Sequence, residues 1–421
     1  MREPVVHIVG AGLGGLAAAT KLATSGTSVV LHEAARQGGG RCRSYHEPAL
    51  DMDIDNGNHL VLSGNHATMQ YLDMVEAKSQ LVGPREAKFD FVDLMTGERW
   101  TLRPNAGRLP WWIFSPERRV PGTSALDYLE LGGLLFAKKG AVIGESISCS
   151  GPLYERLWRP LFLAALNTEP PAASSGLAAS VIRETLALGG SACRPLIAVN
   201  GLSSAFVDPA LKMLKAKGAP IRFGRRLREI VYKDGAVERL DFGDESVGVE
   251  PGDDVILAVQ SWVAASLVPG LEVPTVQSSI INGHFRIEAP EGAPAMMGVI
   301  GGAVEWIFGF PGRISITISG ADRMLEQSRE DLAAIFWREV QLALDFEAPM
   351  PPWQVIKEKR ATFAASPAED AKRPQPLTQW RNLYLAGDFT ASALPATIEC
   401  AIRSGFRAAE LVGAAKGRSI H

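Results

Sequence analysis

Residues 5–15 read VVHIVGAGLGG, and this stretch decides the fold. A short run rich in β-branched residues, 5–9, predicts a strand, and the pattern Gly10-x-Gly12-x-Gly14-Gly15 leads directly into the helix-forming sequence LAAATKLATSG. In such a unit Gly10 permits a tight turn, Gly12 lets backbone amides approach a pyrophosphate, and Gly15 lets helix and strand pack closely. The phosphate lies at the positive end of the helix. The stretch therefore predicts a dinucleotide-binding α/β unit.

A second strand and an acidic residue complete this pattern. Residues 28–32 (SVVLH) predict a strand that ends at Glu33, 23 residues after Gly10. A carboxylate at this spacing accepts hydrogen bonds from the ribose hydroxyls of a dinucleotide. A lone glycine pattern also occurs as a structural turn, but here the strand, the helix, the second strand and the acid are all in place. The pattern alone does not separate NAD from FAD.

The segments that follow favour FAD. A glycine-rich turn at 38–40 carries Arg36, Arg41 and Arg43 close to where the first turn holds phosphate. Three cations suit a diphosphate, whereas a solvated basic loop would leave the three consecutive glycines unexplained. Residues 55–59 (DNGNH) then offer polar groups on a tight turn.

The end of the chain combines a strand, a Gly-Asp pair and a helix. Residues 382–386 (NLYLA) predict a strand that closes on Gly387-Asp388. Pro395 suits the first position of a helix over 396–415, in which Glu399 and Arg403 form an i, i+4 pair. Aimed at the pyrimidine edge of a flavin, the positive end of this helix would stabilise the anion of the reduced ring.

These motifs together resemble those of the FAD-dependent amine oxidase and phytoene desaturase superfamily. The strings DNGNH (55–59), LWRP (157–160), LNT (166–168), GLS (201–203), EKRATF (358–363) and PATIE (395–399) are similar to those of one family within it, the hydroxysqualene dehydroxylases. These are also called squalene-associated FAD-dependent desaturases and belong to bacterial hopanoid biosynthesis. The resemblance covers nearly the whole chain. One departure is Cys400, where the family pattern predicts glycine, so that its side chain could narrow a pocket near the flavin.

The resemblance implies a fold class and FAD as the cofactor. The fold is α/β, a Rossmann-like FAD-binding domain interrupted by a mixed α+β substrate domain. Strand-like segments at 220–231, 236–242 and 254–259 resemble the middle part of the nucleotide domain. The FAD-binding domain is thus predicted at 1–75, 200–262 and 358–421, and the substrate-binding domain at 76–199 and 263–357.

The resemblance also implies which residues bind the cofactor. Asp388 would lie by the ribityl and pyrophosphate portion of FAD. The implied FAD-binding residues are Gly10, Gly12, Leu13, Gly14, Gly15, Glu33, Gly39, Gly40, Arg41, Asn56, Gly57, Asn58, His59, Leu227, Gly387, Asp388, Ala396, Thr397 and Ile398.

The activity that the resemblance implies is the reductive removal of the hydroxyl of hydroxysqualene to give squalene. A hydride reaches an allylic carbon as hydroxide leaves, and its departure requires a proton. His59 and Glu399 are candidate proton donors, each set against a simpler explanation: a hydrogen-bonded turn for His59 and the Arg403 ion pair for Glu399. The sequence does not identify the electron donor.

Other residues and other activities stay open at this stage. Tyr154, Trp158 and Asn167 are candidates for the substrate cavity, although such residues more often belong to a core. The alternatives to the dehydroxylase are a desaturase of a carotenoid precursor, a flavin-free prenyl-lipid carrier on the same fold and, third, an amine oxidase.

Composition excludes several classes of protein. The 421 residues carry a net charge of −3 and 46% hydrophobic residues, which argues against disorder and against a nucleic-acid partner. The four cysteines are scattered and form no C-x-x-C pair, so neither a metal site nor a disulfide framework is predicted.

The sequence also bears on location. We expect a cytoplasmic protein, because the N-terminus leaves no room for a signal peptide and no apolar run is long enough to span a bilayer. The polyisoprenoid substrate would reside in the membrane. The segment Trp111, Trp112, Ile113 and Phe114, followed by Arg118 and Arg119, is therefore a candidate for peripheral contact with the inner face of the cytoplasmic membrane. A core segment of the substrate domain is the alternative.

Overall fold

A computed structural model describes residues 2–415 and Gly417. The strands are β1 (Val5–Val9), β2 (Ser28–His32), β3 (Ser44–Glu47), β4 (Met52–Asp55), β5 (Val61–Leu62), β6 (Leu81–Val82), β7 (Phe89–Asp93), β8 (Arg99–Leu102), β9 (Pro195–Ala198), β10 (Ile221–Arg222), β11 (Glu229–Lys233), β12 (Ala236–Asp241), β13 (Ser246–Gly248), β14 (Asp254–Leu257), β15 (Gln277–Phe285), β16 (Met296–Ile300), β17 (Trp306–Phe310), β18 (Arg313–Ile318), β19 (Trp353–Phe363) and β20 (Leu383–Leu385). The α-helices are α1 (Leu13–Thr24), α2 (His66–Met74), α3 (Leu131–Leu135), α4 (Ile143–Ser146), α5 (Arg159–Leu166), α6 (Ser175–Glu184), α7 (Asp208–Ala216), α8 (Ser261–Leu267), α9 (Arg329–Leu344), α10 (Pro367–Asp370) and α11 (Ile398–Ala415).

The first sheet is parallel and has the strand order β10-β2-β1-β14-β20. The turn after β1 requires glycine, because Gly10 has φ +108° and a Cβ there would lie 2.3 Å from the carbonyl oxygen of Ala258. A Cβ at Gly15 would lie 1.9 Å from the carbonyl oxygen of Gly10, so glycine also allows α1 to pack on the turn. The predicted dinucleotide-binding unit is thus a β1-α1-β2 unit with the predicted strand bounds.

Apolar layers cover both faces of this sheet. One face packs against α1, α2, α7 and α11, and the other against α8 and the antiparallel sheet β11-β12-β13. Strands buried on both faces are typical of parallel sheets in α/β folds. The α/β fold class predicted from the sequence is confirmed.

The second sheet has the order β19-β15-β18-β17-β16-β7-β8 and is antiparallel except for the pair β7–β16. Its strand β19 runs to Phe363, past the boundary predicted at residue 358, because its pairing with β15 continues as far as Gln277. The predicted FAD-binding segments also include residues 1, 416 and 418–421, which lie outside the described residues.

The two faces of the second sheet differ in what covers them. One face carries Ile314, Ile316 and Ile318 and packs on α9. The other face has a polar part and an aromatic part. The polar part consists of Asn282, His284, Arg313, Ser315 and Thr317, whereas Trp306, Phe308 and Phe310 face an aromatic core covered by the helices α3, α5 and α6.

Buried histidines make the fold sensitive to acid. Burial lowers the pKa of His284 to about 3 and, together with the neighbouring His7, that of His32 to about 3. The unfolded chain therefore binds protons below about pH 6.5 that the folded chain does not bind, and stability falls as the pH is lowered from about 6.5 to about 4. We expect each of the two to contribute up to about 1.4 kcal/mol per pH unit in that range.

Urea unfolding between pH 8 and pH 4 measures this slope. His284→Gln should reduce the slope even if it lowers stability at pH 8. An unchanged slope in His284→Gln would show that this histidine does not contribute to the acid sensitivity.

Candidate functional site

The first part of the site is the turn between β1 and α1. The amide of Ala11 donates to a carboxylate oxygen of Glu33 at 2.7 Å, and the other carboxylate oxygen accepts from the amide of Ala35 at 2.8 Å. Gly12 has an extended backbone (φ −74°, ψ 175°), and a Cβ at this position would have no atom of the described residues within 4 Å apart from its two chain neighbours. Open space beside the amino end of a helix, next to an acid at the end of β2, is what the diphosphate and ribose of a dinucleotide require.

Two further segments meet this turn. The amide of Gly39 donates to the carbonyl oxygen of Ala11 at 2.7 Å. A Cβ at Gly14 would lie 3.2 Å from the nitrogen of Gly387, which places the end of β20 beside the start of α1. We call this set the nucleotide cleft; it comprises residues 10–15, 33, 39–41 and 387–388.

An ion pair closes one side of the nucleotide cleft. A guanidinium nitrogen of Arg41 lies 2.7 Å from Oδ1 of Asp388, and another nitrogen donates to the carbonyl oxygen of Ala361 at 2.5 Å. Burial by itself would lower the pKa of Arg41, but the Asp388 carboxylate outweighs it and raises that pKa above its ordinary value. The Arg41 side chain still keeps 35% of its accessible surface. Arg41 is thus a fixed cation with room for an anionic ligand.

Arg373 organises the segment after Asp388, and the sequence analysis missed it. Its guanidinium donates to the backbone carbonyl oxygens of Asp388 (3.1 Å), Leu394 (2.8 Å), Thr390 (2.9 Å) and Ser392 (2.9 Å). A buried arginine that holds four carbonyl groups fixes the path of the chain from the nucleotide cleft to α11. An isolated arginine in a proline-rich stretch gives no signal of this role.

The guanidinium of Arg373 also contacts Cys400, the residue that departs from the family pattern. A nitrogen of Arg373 lies 3.3 Å from Sγ of Cys400, and burial raises the pKa of this thiol. The side chain is fully buried beneath Arg373. Cys400 therefore serves as packing and as a weak acceptor.

The turn at 55–59 joins the nucleotide cleft to the second sheet. Nδ2 of Asn56 donates to Glu358 on β19 at 3.2 Å, and Nδ2 of Asn58 donates to Oγ1 of Thr317 on β18 at 3.0 Å. Gly57 lies against Asn282, whose Nδ2 would be 3.2 Å from a Cβ at that position. The polar part of the second sheet is therefore the surface that contacts the nucleotide-binding half.

A buried ion pair adds to this contact. Arg313 on β18 lies 3.6 Å from a carboxylate oxygen of Asp55, whose other oxygen accepts from Ser44 at 2.6 Å and from the amide of Leu202 at 2.8 Å. No pattern in the sequence around Arg313 predicts this contact. Removing one partner of such a buried pair leaves an uncompensated charge and is costly.

The two candidate proton donors lie in different surroundings. His59 is half-buried, and burial, followed by the nearby Arg41, lowers its pKa to about 4, so its imidazole is uncharged at neutral pH. Glu399 is fully engaged: its oxygens accept from the amides of Ala67 (3.0 Å) and Thr68 (2.8 Å), from the Thr68 hydroxyl and from Arg403 (2.7 Å). Glu399 thus caps the start of α2, and we do not carry it forward as a proton donor.

Four further residues that were predicted to bind FAD lie near the start of α11 or beside the first sheet: Ala396, Thr397, Ile398 and Leu227. Ala396 and Thr397 precede α11, which begins at Ile398. Leu227 is buried between the first sheet and β11-β12-β13, two residues after Arg225, whose amide donates to the carbonyl oxygen of Glu33 at 2.8 Å.

The substrate-cavity candidates belong to the aromatic core or its edge. Tyr154 and Trp158 are buried there, and Nε1 of Trp158 donates to Glu130 at 3.0 Å. Asn167 has a left-handed backbone (φ 49°), and its amide links Gly320 (2.7 Å) to Thr362 on β19 (3.0 Å). Tyr154 and Trp158 are thus part of the aromatic core, and a role of the three residues in substrate binding stays a prediction.

The predicted membrane segment divides between core and surface. Trp112 and Ile113 are only 5% and 8% exposed and belong to the aromatic core, whereas Trp111 and Phe114 are 65% and 63% exposed. The segment forms a short 3₁₀ turn, in which residues three apart share a face. Trp111 and Phe114 therefore lie on the outer face, whereas Trp112 and Ile113 lie on the inner face. The prediction that all four side chains contact the membrane is therefore wrong.

Comparison with known proteins gives one family and several full-length relatives. The model of the flavin containing amine oxidoreductases matches residues 13–413. A hydroxysqualene dehydroxylase from Rhodopseudomonas palustris is 53% identical over 97% of this chain and 98% of its own length, and one from Sinorhizobium fredii is 50% identical over 96% and 97%. A tomato 15-cis-phytoene desaturase is 24% identical over 97% of this chain and 77% of its own length. Among solved structures, cyclohexylamine oxidase from Brevibacterium oxydans has a TM-score of 0.68 and 16% identity, covering 99% and 100% of the two chains, which shows a shared fold.

Proposed function

The chain belongs to the flavin containing amine oxidoreductase family and, within it, to the hydroxysqualene dehydroxylases, and from this membership we propose that it reduces hydroxysqualene to squalene. It is an FAD-dependent oxidoreductase. The observation that carries the proposal is the extent of the similarity, which runs through both the nucleotide-binding half and the second sheet. The substrate-binding part is therefore included in the likeness.

The residues of the nucleotide cleft fit FAD. Bound FAD in its reduced form supplies the hydride for an allylic carbon. The amides beside Gly12 would hold the diphosphate, Glu33 the ribose, and Arg41 with Asp388 the diphosphate and ribityl portion. The open space at Gly12 supports this assignment because no side chain of the described residues fills it.

The aromatic core suits the step in which the C–O bond of the substrate breaks. As the C–O bond breaks, positive charge develops on the allylic carbon, and aromatic faces stabilise such a cation. Trp306, Phe308 and Phe310 line up along β17 on the face that meets the helical layer. A wall of this composition also excludes water, which would otherwise capture the cation. We propose that the isoprenoid chain lies against this face.

The leaving hydroxyl needs a proton, so that one water is released for each squalene formed. His59 is the candidate that contacts this hydroxyl. Its neutral imidazole has one N–H donor, which can orient the hydroxyl by a hydrogen bond. The overall reaction takes up two electrons and two protons for each hydroxysqualene that gives squalene and water. The protons come from solvent, and the electrons come from a donor that the chain does not identify.

The experiment that tests this function compares two substrates. Anaerobically reduced enzyme is incubated in detergent with hydroxysqualene, oxidised enzyme is incubated with phytoene under the same conditions, and the products are identified by mass spectrometry. We expect squalene from hydroxysqualene and no change in phytoene. Desaturated phytoene formed by the oxidised enzyme would instead support the desaturase alternative, and purified protein without flavin would support a prenyl-lipid carrier.

We further propose that the enzyme works at the inner face of the cytoplasmic membrane as a peripheral protein. No helix among residues 2–415 and 417 is long and apolar enough to cross a membrane. A polyisoprenoid partitions into the bilayer, because each CH₂ removed from water contributes about 0.8 kcal/mol. The enzyme therefore has to collect its substrate at a membrane surface.

A further inference from the structure

Exposed apolar side chains are concentrated in one short part of the chain. Of the twelve large apolar side chains that are exposed in the described residues, six lie between residues 109 and 136. We call these six the apolar belt: Leu109, Trp111, Phe114, Leu126, Leu129 and Phe136. Single exposed apolar residues are ordinary on soluble proteins, but a group of this size marks an interaction surface.

Half of the apolar belt lies on one helical face. The chain continues from a 3₁₀ turn at Asp127–Glu130 directly into α3, with αR backbone angles at Leu126, Glu130 and Leu131. Leu129 (69% exposed) and Phe136 (88% exposed) are seven residues apart and lie on one face. Tyr128 and Leu134 on the opposite side belong to the aromatic core. A helix that is apolar on both sides is expected in a second apolar environment and not in water.

The two halves of the apolar belt are neighbours in space. The rings of Trp112 and Tyr128 are in edge-to-face contact with centroids 5.1 Å apart. Each of these buried rings lies between exposed members of the apolar belt in the sequence, Trp111 and Phe114 in one case and Leu126 and Leu129 in the other. The aromatic contacts then continue inward from Tyr128 to Trp158 (6.0 Å) and Phe162 (6.0 Å). The apolar belt thus covers the aromatic core that we assign to the substrate.

Charge indicates what lies against the apolar belt. Residues 103–140 contain six basic and three acidic side chains, a net charge of +3, in a chain whose total is −3. Arg103, Arg108, Lys138 and Lys139 are exposed. A second copy of the same surface would bring +3 against +3, whereas an anionic headgroup layer has the opposite sign.

We propose that the apolar belt docks on an anionic lipid bilayer, with Leu129 and Phe136 entering the acyl region and Lys138 and Lys139 meeting the headgroups. The biological role of this docking rests on the proposed function. The isoprenoid would pass between the bilayer and the aromatic core at the docked surface. It replaces the four-residue contact expected from the sequence with a surface in which Leu109, Leu126, Leu129 and Phe136 are the new members.

The test uses the FAD-loaded enzyme and vesicles of phosphatidylcholine with or without phosphatidylglycerol. The variant Leu129→Ser/Phe136→Ser removes apolar contact, and Lys138→Glu/Lys139→Glu reverses charge. The matched control is Leu342→Ser/Leu377→Ser, which changes two apolar residues that are 57% and 58% exposed elsewhere. Vesicle flotation measures binding, the flavin spectrum and circular dichroism report folding, and size-exclusion chromatography reports oligomeric state.

We expect the wild type and the control to float with anionic vesicles and much less with neutral ones. Leu129→Ser/Phe136→Ser should bind at least about tenfold more weakly, and the lysine reversal about twentyfold more weakly on anionic vesicles only. Turnover of detergent-solubilised substrate should be unchanged in both variants.

Unchanged flotation of both folded variants would overturn the proposal. So would a wild-type dimer that Leu129→Ser/Phe136→Ser converts to a monomer, because the apolar belt would then be covered by a second copy. Absence of squalene formation in detergent by the wild type would refute the proposed function, while flotation would still decide the docking surface.

Discussion

Gly12→Val is expected to yield a folded protein that contains almost no flavin. A Cβ at Gly12 would meet no atom of the described residues within 4 Å apart from its two chain neighbours, and the extended backbone there is compatible with valine. The added side chain would occupy the space that the FAD diphosphate needs. We expect bound flavin to fall below about a tenth of the wild-type amount, measured by absorbance near 450 nm after denaturation.

A matched variant separates this effect from damage to the fold. Gly107 also has free space around it, with only Nδ2 of Asn105 at 3.9 Å from a Cβ, and it is exposed and outside the nucleotide cleft. Gly107→Val should keep wild-type flavin content. If Gly12→Val purified with full flavin, the diphosphate would not lie beside the β1–α1 turn.

Glu33→Ala and Asp388→Ala are expected to lose flavin for a different reason, the loss of charged partners. Glu33 is positioned by the amides of Ala11 and Ala35 to accept from the ribose hydroxyls. A hydrogen bond to a charged group contributes about 1.5–3 kcal/mol, so two such bonds correspond to roughly 10²–10⁴-fold weaker binding. Asp388→Ala also releases Arg41, which is then a half-buried cation without its carboxylate.

Titration of flavin-stripped protein with FAD measures both losses. Glu169→Ala is a suitable control, because it removes an exposed ion pair with Arg159, and such pairs contribute little. Asp388→Asn should retain more flavin than Asp388→Ala if an acceptor oxygen suffices to hold Arg41. Wild-type affinity in both alanine variants would remove these two residues from the FAD site.

The nucleotide-binding half was predictable because its requirements are local. Gly15 answers a constraint within the turn, since a Cβ there would lie 1.9 Å from the carbonyl oxygen of Gly10, and the spacing of the glycines between a strand and a helix identifies the unit. The bounds of β1 and β2 agree with the sequence patterns.

The features that could not be predicted depend on contacts between distant parts of the chain. Arg373 reaches four carbonyl groups that lie 15 to 21 residues away, and Arg313 meets Asp55 across 258 residues. Nothing in the local sequence distinguishes these arginines from solvated ones. Likewise, the four side chains at 111–114 are all large and apolar, but two of them are buried and two are exposed. The packing of Trp112 on Tyr128 decides which of them face inward.

The most direct test of the central claim is a single-turnover experiment under anaerobic conditions. Enzyme reduced with dithionite and freed of excess reductant is mixed with hydroxysqualene, and the flavin absorbance and the product are followed together. We predict that the oxidised flavin spectrum returns and that one squalene forms for each flavin, whereas oxidised enzyme mixed with phytoene keeps its oxidised spectrum and forms no desaturated product. A flavin that stays reduced with hydroxysqualene, with no squalene formed, would contradict the assignment of this chain as a hydroxysqualene dehydroxylase.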